Sequence, residues 1–216
     1  MDIDTLKGLS ACPLFKGLTD EEIIDAMHRV RYRLLTYKRG ALFAMVGDEC
    51  LHADIIISGE MTATMMSPSG RIITLNLHHS GNMLAPAFLF AADNHYPVTV
   101  EAVVDTHVIQ LMRADMEALI LSDSRIALNE IHILSNIVSY LTKKVSMLSM
   151  SVREKVESYF KEEQKKQQSR HLRIPLSRQA LAEQFGIQKY SLQRCLRELQ
   201  EAGEIQIDGR VVHLLK

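Results

Sequence analysis

Five side chains in the stretch "QKYSLQRCLREL" (188–199) could carry chemistry: Lys189, Tyr190, Gln193, Arg194 and Arg197. Four are long hydrogen-bond donors, and three of those carry positive charge. Such groups do not make or break bonds. They clamp phosphate oxygens and read flat base edges, provided that they project from one surface. Leu192, Cys195, Leu196 and Leu199 fall between them at i, i+3, i+4 and i+7, which predicts a helix with those four residues buried. The donors then lie on the opposite face. Cys195 reads as a small core residue and not as a reactive thiol.

The flanking residues supply what would hold such a helix. Ser177 is a good N-cap for a first short helix whose apolar face is Leu181, Ala182 and Phe185. Gly186 supplies the tight turn between the two helices. "EIQIDGRVVHLL" reads as a two-stranded wing turning at Asp208-Gly209. A capped short helix, a glycine turn, a basic second helix and a wing together point to double-stranded DNA as the partner. Charge agrees: residues 151–216 hold 13 Lys+Arg against 9 Asp+Glu, whereas residues 1–150 hold 12 against 17. Upstream, "VREKVESYFKEEQKKQQS" reads as an amphipathic helix with Val152, Val156, Tyr159 and Phe160 on one side, and "HLRIPL" as a short strand.

Upstream of this motif lies a different pattern. Ala127, Ile131, Leu134, Val138, Leu141, Val145 and Leu148 are spaced 4, 3, 4, 3, 4, 3. That heptad seam predicts a two-chain coiled coil, so a homodimer. A second stripe, Ile133, Ile137, Tyr140 and Lys144, lies beside the seam and could face the β roll described next. The alternative is an ordinary core helix within one chain.

Between about 30 and 112, short apolar runs alternate with glycines at 40, 47, 59, 70 and 81, which predicts an all-β roll. "SPSGR" (67–71) reads as its hairpin turn. Within it lies "IITLNLHHSGNMLAPAFLFAA" (72–92), twenty-one residues without a charge in a chain where 24% are charged. Its Thr, Asn, His and Ser make it a poor membrane span. It predicts a strand at 72–77, a turn at "HHSGN" and a short helix after Pro86. "MDIDTLKGLS" lacks the apolar run of a signal peptide. Three scattered cysteines give neither a disulfide framework nor a zinc spacing, so a reducing cytoplasm is expected.

Nearly the whole chain resembles the superfamily of the cyclic-AMP receptor protein and the fumarate–nitrate reduction regulator (CRP/FNR). The resemblance rests on "LFKGL" (14–18), on "YKRGALFAMVGDECLHADIIISGEMTATMMSPSGRIITL" (37–75), on the helix at 125–149 and on the motif at 177–199. It implies an α+β chain: a β-roll (double-stranded β-helix) sensor at 1–124, a dimerisation helix at 125–149 and a winged helix-turn-helix at 150–216. It implies a transcription regulator, not an enzyme, binding a palindromic promoter site as a homodimer and contacting RNA polymerase. The implied DNA-contact set is Ser177, Arg178, Gln179, Gln188, Lys189, Tyr190, Ser191, Gln193, Arg194 and Arg197. Tyr190 stands where many relatives carry a base-pairing Glu, so a different half-site is expected.

The sensor departs from the family's pattern. Cyclic-nucleotide binders of this superfamily carry a Gly-Glu pair and then an Arg-Ser or Arg-Thr pair around the phosphate. Here Ala85-Pro86 and Tyr96-Pro97 stand in those places, and no cation remains to offset a buried phosphate. No cyclic-AMP binding is expected. A four-cysteine iron–sulfur cluster is excluded by the count of three. The resemblance of "LAPAFLFAADNHYPVTVEA" to the nitrosative-stress branch, whose members regulate hybrid-cluster-protein genes, implies haem and nitric oxide. An effector pocket is expected from Met83, Phe88, Tyr96, Asn136, Ser139 and Tyr140. Candidate haem or metal ligands are His52, His78, His79, His95, His132, Met65, Met66 and Met83.

Two other readings compete. One is a regulator without an effector, its pocket filled by Met83, Phe88, Leu89 and Phe90. The other is a metal-dependent β-barrel enzyme using His52, His78 and His79, which the adjacent "HH" opposes because neighbouring strand residues point to opposite faces.

Overall fold

The computed structural model describes residues 1–66, 70 and 72–215, without the side chains of Met147 and Leu148. The expected turn at Ser67, Pro68, Ser69 and Arg71 therefore lies outside the described residues, as does the side chain of Leu148 in the heptad seam. Contacts divide the chain into two compact units, Met1–Val138 and Ser139–Lys216.

The first unit begins with two helices, α1 (Ile3–Ser10) and α2 (Asp20–His28). Asp2 caps α1, its carboxylate accepting from the amides of Asp4 and Thr5, and a capping box of Thr19 and Glu22 starts α2. Eight strands follow: β1 (Tyr32–Tyr37), β2 (Leu42–Ala44), β3 (His52–Ser58), β4 (Glu60–Met66), β5 (Ile72–His79), β6 (Met83–Leu84), β7 (Thr99–Ala102) and β8 (Thr106–Met112). They form two antiparallel sheets, ordered β1-β8-β3-β6 and β2-β7-β4-β5, the β roll that the glycine punctuation predicts.

Alternation along β3 explains how the roll is held. Ala53, Ile55 and Ile57 join the core that includes Leu9, Leu14, Phe15, Ile23 and Met27 of the N-terminal segment. Ile56, on the opposite face, packs with Met61, Ala63, Leu84, Val100, Ala102 and Val108. The roll's interior is thus occupied by its own aliphatic side chains.

The neutral stretch divides in a way its composition does not reveal. Met83, Leu84 and Leu89 are buried, yet β5 is exposed, with Ile72 73% and Ile73 44% accessible on opposite faces. Gly81 turns the chain at φ +84°, where a Cβ would lie 2.7 Å from the carbonyl oxygen of Ala11. After Pro86 no helix forms. Residues 86–90 are turns, with the Phe88 amide donating to Ala85 O and the Ala91 amide to Phe88 O. Ala85 itself adopts φ +47°, which does not lead into a right-handed helix.

Helix α3 (Arg113–Ser122) leads to α4 (Ser124–Ser149), 26 residues long. In the first unit, α4 buries Ile126 and Glu130 and packs Ile133 against the core. Asn129 Nδ2 donates to the carbonyls of Leu14 and Lys16 at 3.0 and 2.8 Å. Arg125 grips Glu22 and Asp123, with its closest contacts at 2.8 and 2.7 Å.

The second unit contains α5 (Val152–Gln167), β9 (His171–Arg173), α6 (Arg178–Phe185), α7 (Lys189–Glu201), β10 (Ile205–Asp208) and β11 (Val211–Leu214). The strands form one antiparallel sheet, β10-β11-β9. Asp208 pairs with Val211, so the wing turns at Gly209-Arg210, one residue beyond the position expected from sequence. The whole is an α+β chain: a β roll, a long helix and a C-terminal winged helix-turn-helix. Among the described residues no helix is long and apolar enough to cross a membrane.

Candidate functional site

The polar face of α7 is built by the core beneath it. Leu192, Cys195, Leu196 and Leu199 pack with Leu181, Ala182 and Phe185 of α6 and with Val156, Tyr159 and Phe160 of α5. Burial of that stripe fixes the rotation of α7. Lys189, Tyr190, Gln193, Arg194 and Arg197 are consequently exposed, Tyr190 at 72%. Gln188 is also exposed and Ser191 half-buried.

The α6–α7 turn is set locally. Ser177 Oγ accepts from the Ala180 amide at 3.1 Å. Gly186 adopts φ +64°, and its amide reaches the carbonyls of Ala182 and Glu183. Lys155, buried on α5, donates its ammonium to Phe185 O at 3.1 Å. It thereby places a cation at the C-terminal end of α6, where the helix dipole favours one. This contact was invisible in the sequence, where Lys155 is one charge among many on an amphipathic helix.

The donors differ in their readiness to engage a ligand. Gln179 Nε2 is engaged with Glu183 at 2.7 Å, and Arg194 Nε lies 3.6 Å from Glu198, one turn on. Lys189 and Arg197 make no ion pair among the described residues. Arg178, half-buried, has its pKa lowered by burial, so an anion beside it would be welcome. The surface presents three exposed cations and one flat aromatic with few internal partners, as phosphate and base contacts require.

The effector-pocket candidates differ in exposure. Met83 and Tyr96 are buried and Phe88 packs against the core, while Asn136 is exposed on α4. Ser139 and Tyr140, in the second unit, are exposed as well, with Lys144 Nζ lying 5.5 Å from the Tyr140 ring centroid.

Tyr96 has a setting that the sequence did not suggest. It lies beside Asp54, which is buried on β3. Asp54 Oδ1 accepts from Gln110 Nε2 at 3.0 Å, and Oδ2 has no hydrogen-bond partner among the described residues. Burial pushes the Asp54 carboxyl up to about 6, only partly countered by the Gln110 amide and the Tyr96 phenol. Burial, then the Asp54 carboxylate and the Cys50 thiol, push the Tyr96 phenol well above its usual range. Glu130 on α4 is a second buried carboxyl with an unpartnered oxygen, pushed by burial up to about 7.

The imidazole and thioether candidates are spread over the roll. His79 pairs with Glu60 at 3.3 Å and His95 with Asp93 at 2.7 Å. His52 and His78 have their pKa lowered, chiefly by burial. His132, Met65 and Met66 are exposed. Among the described residues no three His, Cys, Asp or Glu side chains gather as a metal site. His78 and His79 lie on opposite faces of β5, the first half-buried and the second exposed.

Residues 34–123 match the cyclic nucleotide-binding domain family, and residues 149–216 match the Crp-like helix-turn-helix domain family. The two matches together cover more than half of the chain. Catabolite activator protein of Thermus thermophilus superposes with a TM-score of 0.58 at 24% identity, over 94% of this chain and 93% of that one. The regulator CLP of Xanthomonas campestris, described as responsive to c-di-GMP, superposes with a TM-score of 0.56 at 18% identity, over 91% and 99%. A transcriptional regulator of Thermotoga maritima gives 0.55 at 15% identity, over 60% and 98%. At these identities the superpositions speak for the fold. A comparison with curated proteins gives no match. The fold and the two matched domains define a DNA-binding transcription regulator. Their order along one chain supports the CRP/FNR superfamily.

Proposed function

We propose that the chain acts as a homodimer that binds a palindromic promoter site through α7 and recruits or blocks RNA polymerase, without cyclic AMP. The exposed row Lys189, Tyr190, Gln193, Arg194 and Arg197 on a helix whose other face is buried supports the DNA contact. The setting of Tyr96 supports independence from cyclic AMP. Where the resemblance would place an arginine, this chain has a buried phenol beside a buried carboxyl. A cyclic phosphate there would lose its hydration without gaining a cation. Fluorescence anisotropy with promoter and random duplexes tests the reading. Specific binding that added cyclic AMP leaves unchanged supports it, and equal affinity for both duplexes overturns it.

For the signal, we propose haem with nitric oxide as its ligand. Support comes from His52 and His78, which burial keeps in the neutral, ligand-competent form, and from the buried thioether of Met83. Haem titration followed by the Soret band decides it. One saturable site per subunit, lost on replacement of a named His or Met, is expected. Absence of saturation leaves the regulator without an effector, which the filled roll interior favours.

A further inference from the structure

Two histidines that play no part in the DNA or effector readings meet in the wing sheet. Antiparallel pairing of β11 with β9 sets His213 opposite His171. Their Nδ1 atoms are 2.6 Å apart, with ring centroids at 4.8 Å and planes at 71°. His171 is exposed and His213 half-buried, so solvent reaches the pair. No carboxylate bonds either ring among the described residues, unlike His79 and His95, each of which has its own acid. The next position in the same cross-strand row, on the other side of His213, is the exposed Gln206.

Two imidazoles brought edge to edge have few stable arrangements. One nitrogen can donate a proton to the other, but protonation of both rings leaves two donors, two positive charges and no acceptor. The third arrangement places a cation between two lone pairs. Imidazole nitrogens suit late first-row divalent ions, which they hold at about 2.0–2.1 Å. Two such ligands sit about 2.9 Å apart at a right angle and about 3.3 Å apart at a tetrahedral one. Small side-chain rotations from 2.6 Å reach that range while the backbone register stays as it is.

We propose that His171 and His213 form a two-imidazole site for a divalent transition ion of the zinc, nickel or copper class. Water completes the coordination shell, and the amide oxygen of Gln206 is the available protein donor on the same face. The ion would join β9, the strand that leads through Pro175 to the Ser177 cap of α6, to β11 of the wing. It would act as a clip within the winged unit, holding the wing to the chain that enters the first motif helix.

Isothermal titration of the full chain with zinc(II), after treatment with a chelator, tests the proposal. Wild type should bind one ion per subunit at this site. His171→Gln and His213→Gln should each weaken that binding at least about tenfold, since losing even an outer partner of a metal ligand costs that much. His107→Gln, which removes an imidazole–hydroxyl contact with Thr36 elsewhere, should leave it unchanged. Zinc should raise the thermal midpoint of wild type and not of the two site variants, because only a folded-state ligand stabilises by mass action. Chelator-treated wild type and variants should melt alike, which separates loss of binding from loss of folding. Absence of saturable binding, or equal binding by wild type and both site variants, would overturn the site.

Discussion

Glu130 and Asp54 each give the β-roll unit a pH response. Each is a buried carboxyl with an oxygen that has no hydrogen-bond partner among the described residues, and burial raises both. A carboxyl raised in the folded state holds its proton longer there than in the unfolded chain. Its contribution to stability is complete below the unfolded value and is lost as pH rises through the folded one. For Glu130 that window runs from 4.5 to about 7, and for Asp54 from 3.8 to about 6. Glu130→Gln removes the first of these. By urea unfolding it should match wild type near pH 4 and exceed it by roughly 2 kcal/mol at pH 8. An unchanged difference between the two pH values would refute the assignment. Gly81 makes a steric prediction. Gly81→Ala meets both a φ of +84° and the Ala11 carbonyl oxygen at 2.7 Å, and should cost about 2–3 kcal/mol in the same assay. Neither carboxyl was legible in the sequence. A heptad pattern reads only apolar positions, and "ADIIIS" does not say which side of β3 faces the second sheet.

At the scale of elements, legibility followed burial. The helix pair 178–201 could be read because its buried positions are spaced at one period and its ends carry Ser177 and Gly186. The roll could be read because glycines mark its turns. In the stretch 72–92 apolar composition does not report exposure: the β4–β5 hairpin carries Met66 at 71% and Ile72 at 73% accessible. The turns after Pro86 were hidden because the left-handed backbone at Ala85 has no sequence signature. Helix α4 carries the proposed dimer seam. Its inward face buries Ile126 and Glu130, while Ile131, Val138, Leu141 and Val145 of the heptad are each more than half exposed. An isolated helix gains nothing from such a stripe, and a second copy would bury it. Leu134→Glu with Leu141→Glu should therefore give monomers by sedimentation equilibrium that no longer bind the promoter duplex. A dimer of unchanged stability would assign the seam to another role.

For the whole molecule, charge is divided between a −5 portion at 1–150 and a +4 portion at 151–216. A polyanion is drawn to the second and not to the first, and this orients the encounter before any base is read. The cations of the second portion should then separate into two kinds. Arg194 projects from the exposed face of α7 and is tied only loosely to Glu198 at 3.6 Å. It is free to exchange that partner for a base edge. Arg178 sits half-buried at the start of α6, beside the Ser177 cap, where a helix N-terminus favours a phosphate. Arg194→Ala should lower discrimination at one base position by roughly 1–3 kcal/mol and leave affinity for random duplex nearly unchanged. Arg178→Ala should weaken promoter and random duplexes alike and reduce the slope of log affinity against log salt by about one. Anisotropy titrations of both variants between about 50 and 200 mM salt measure the two effects together. If Arg178→Ala changed sequence preference while Arg194→Ala changed only the salt slope, the two roles would have to be exchanged, and α7 would no longer be the helix that reads the site.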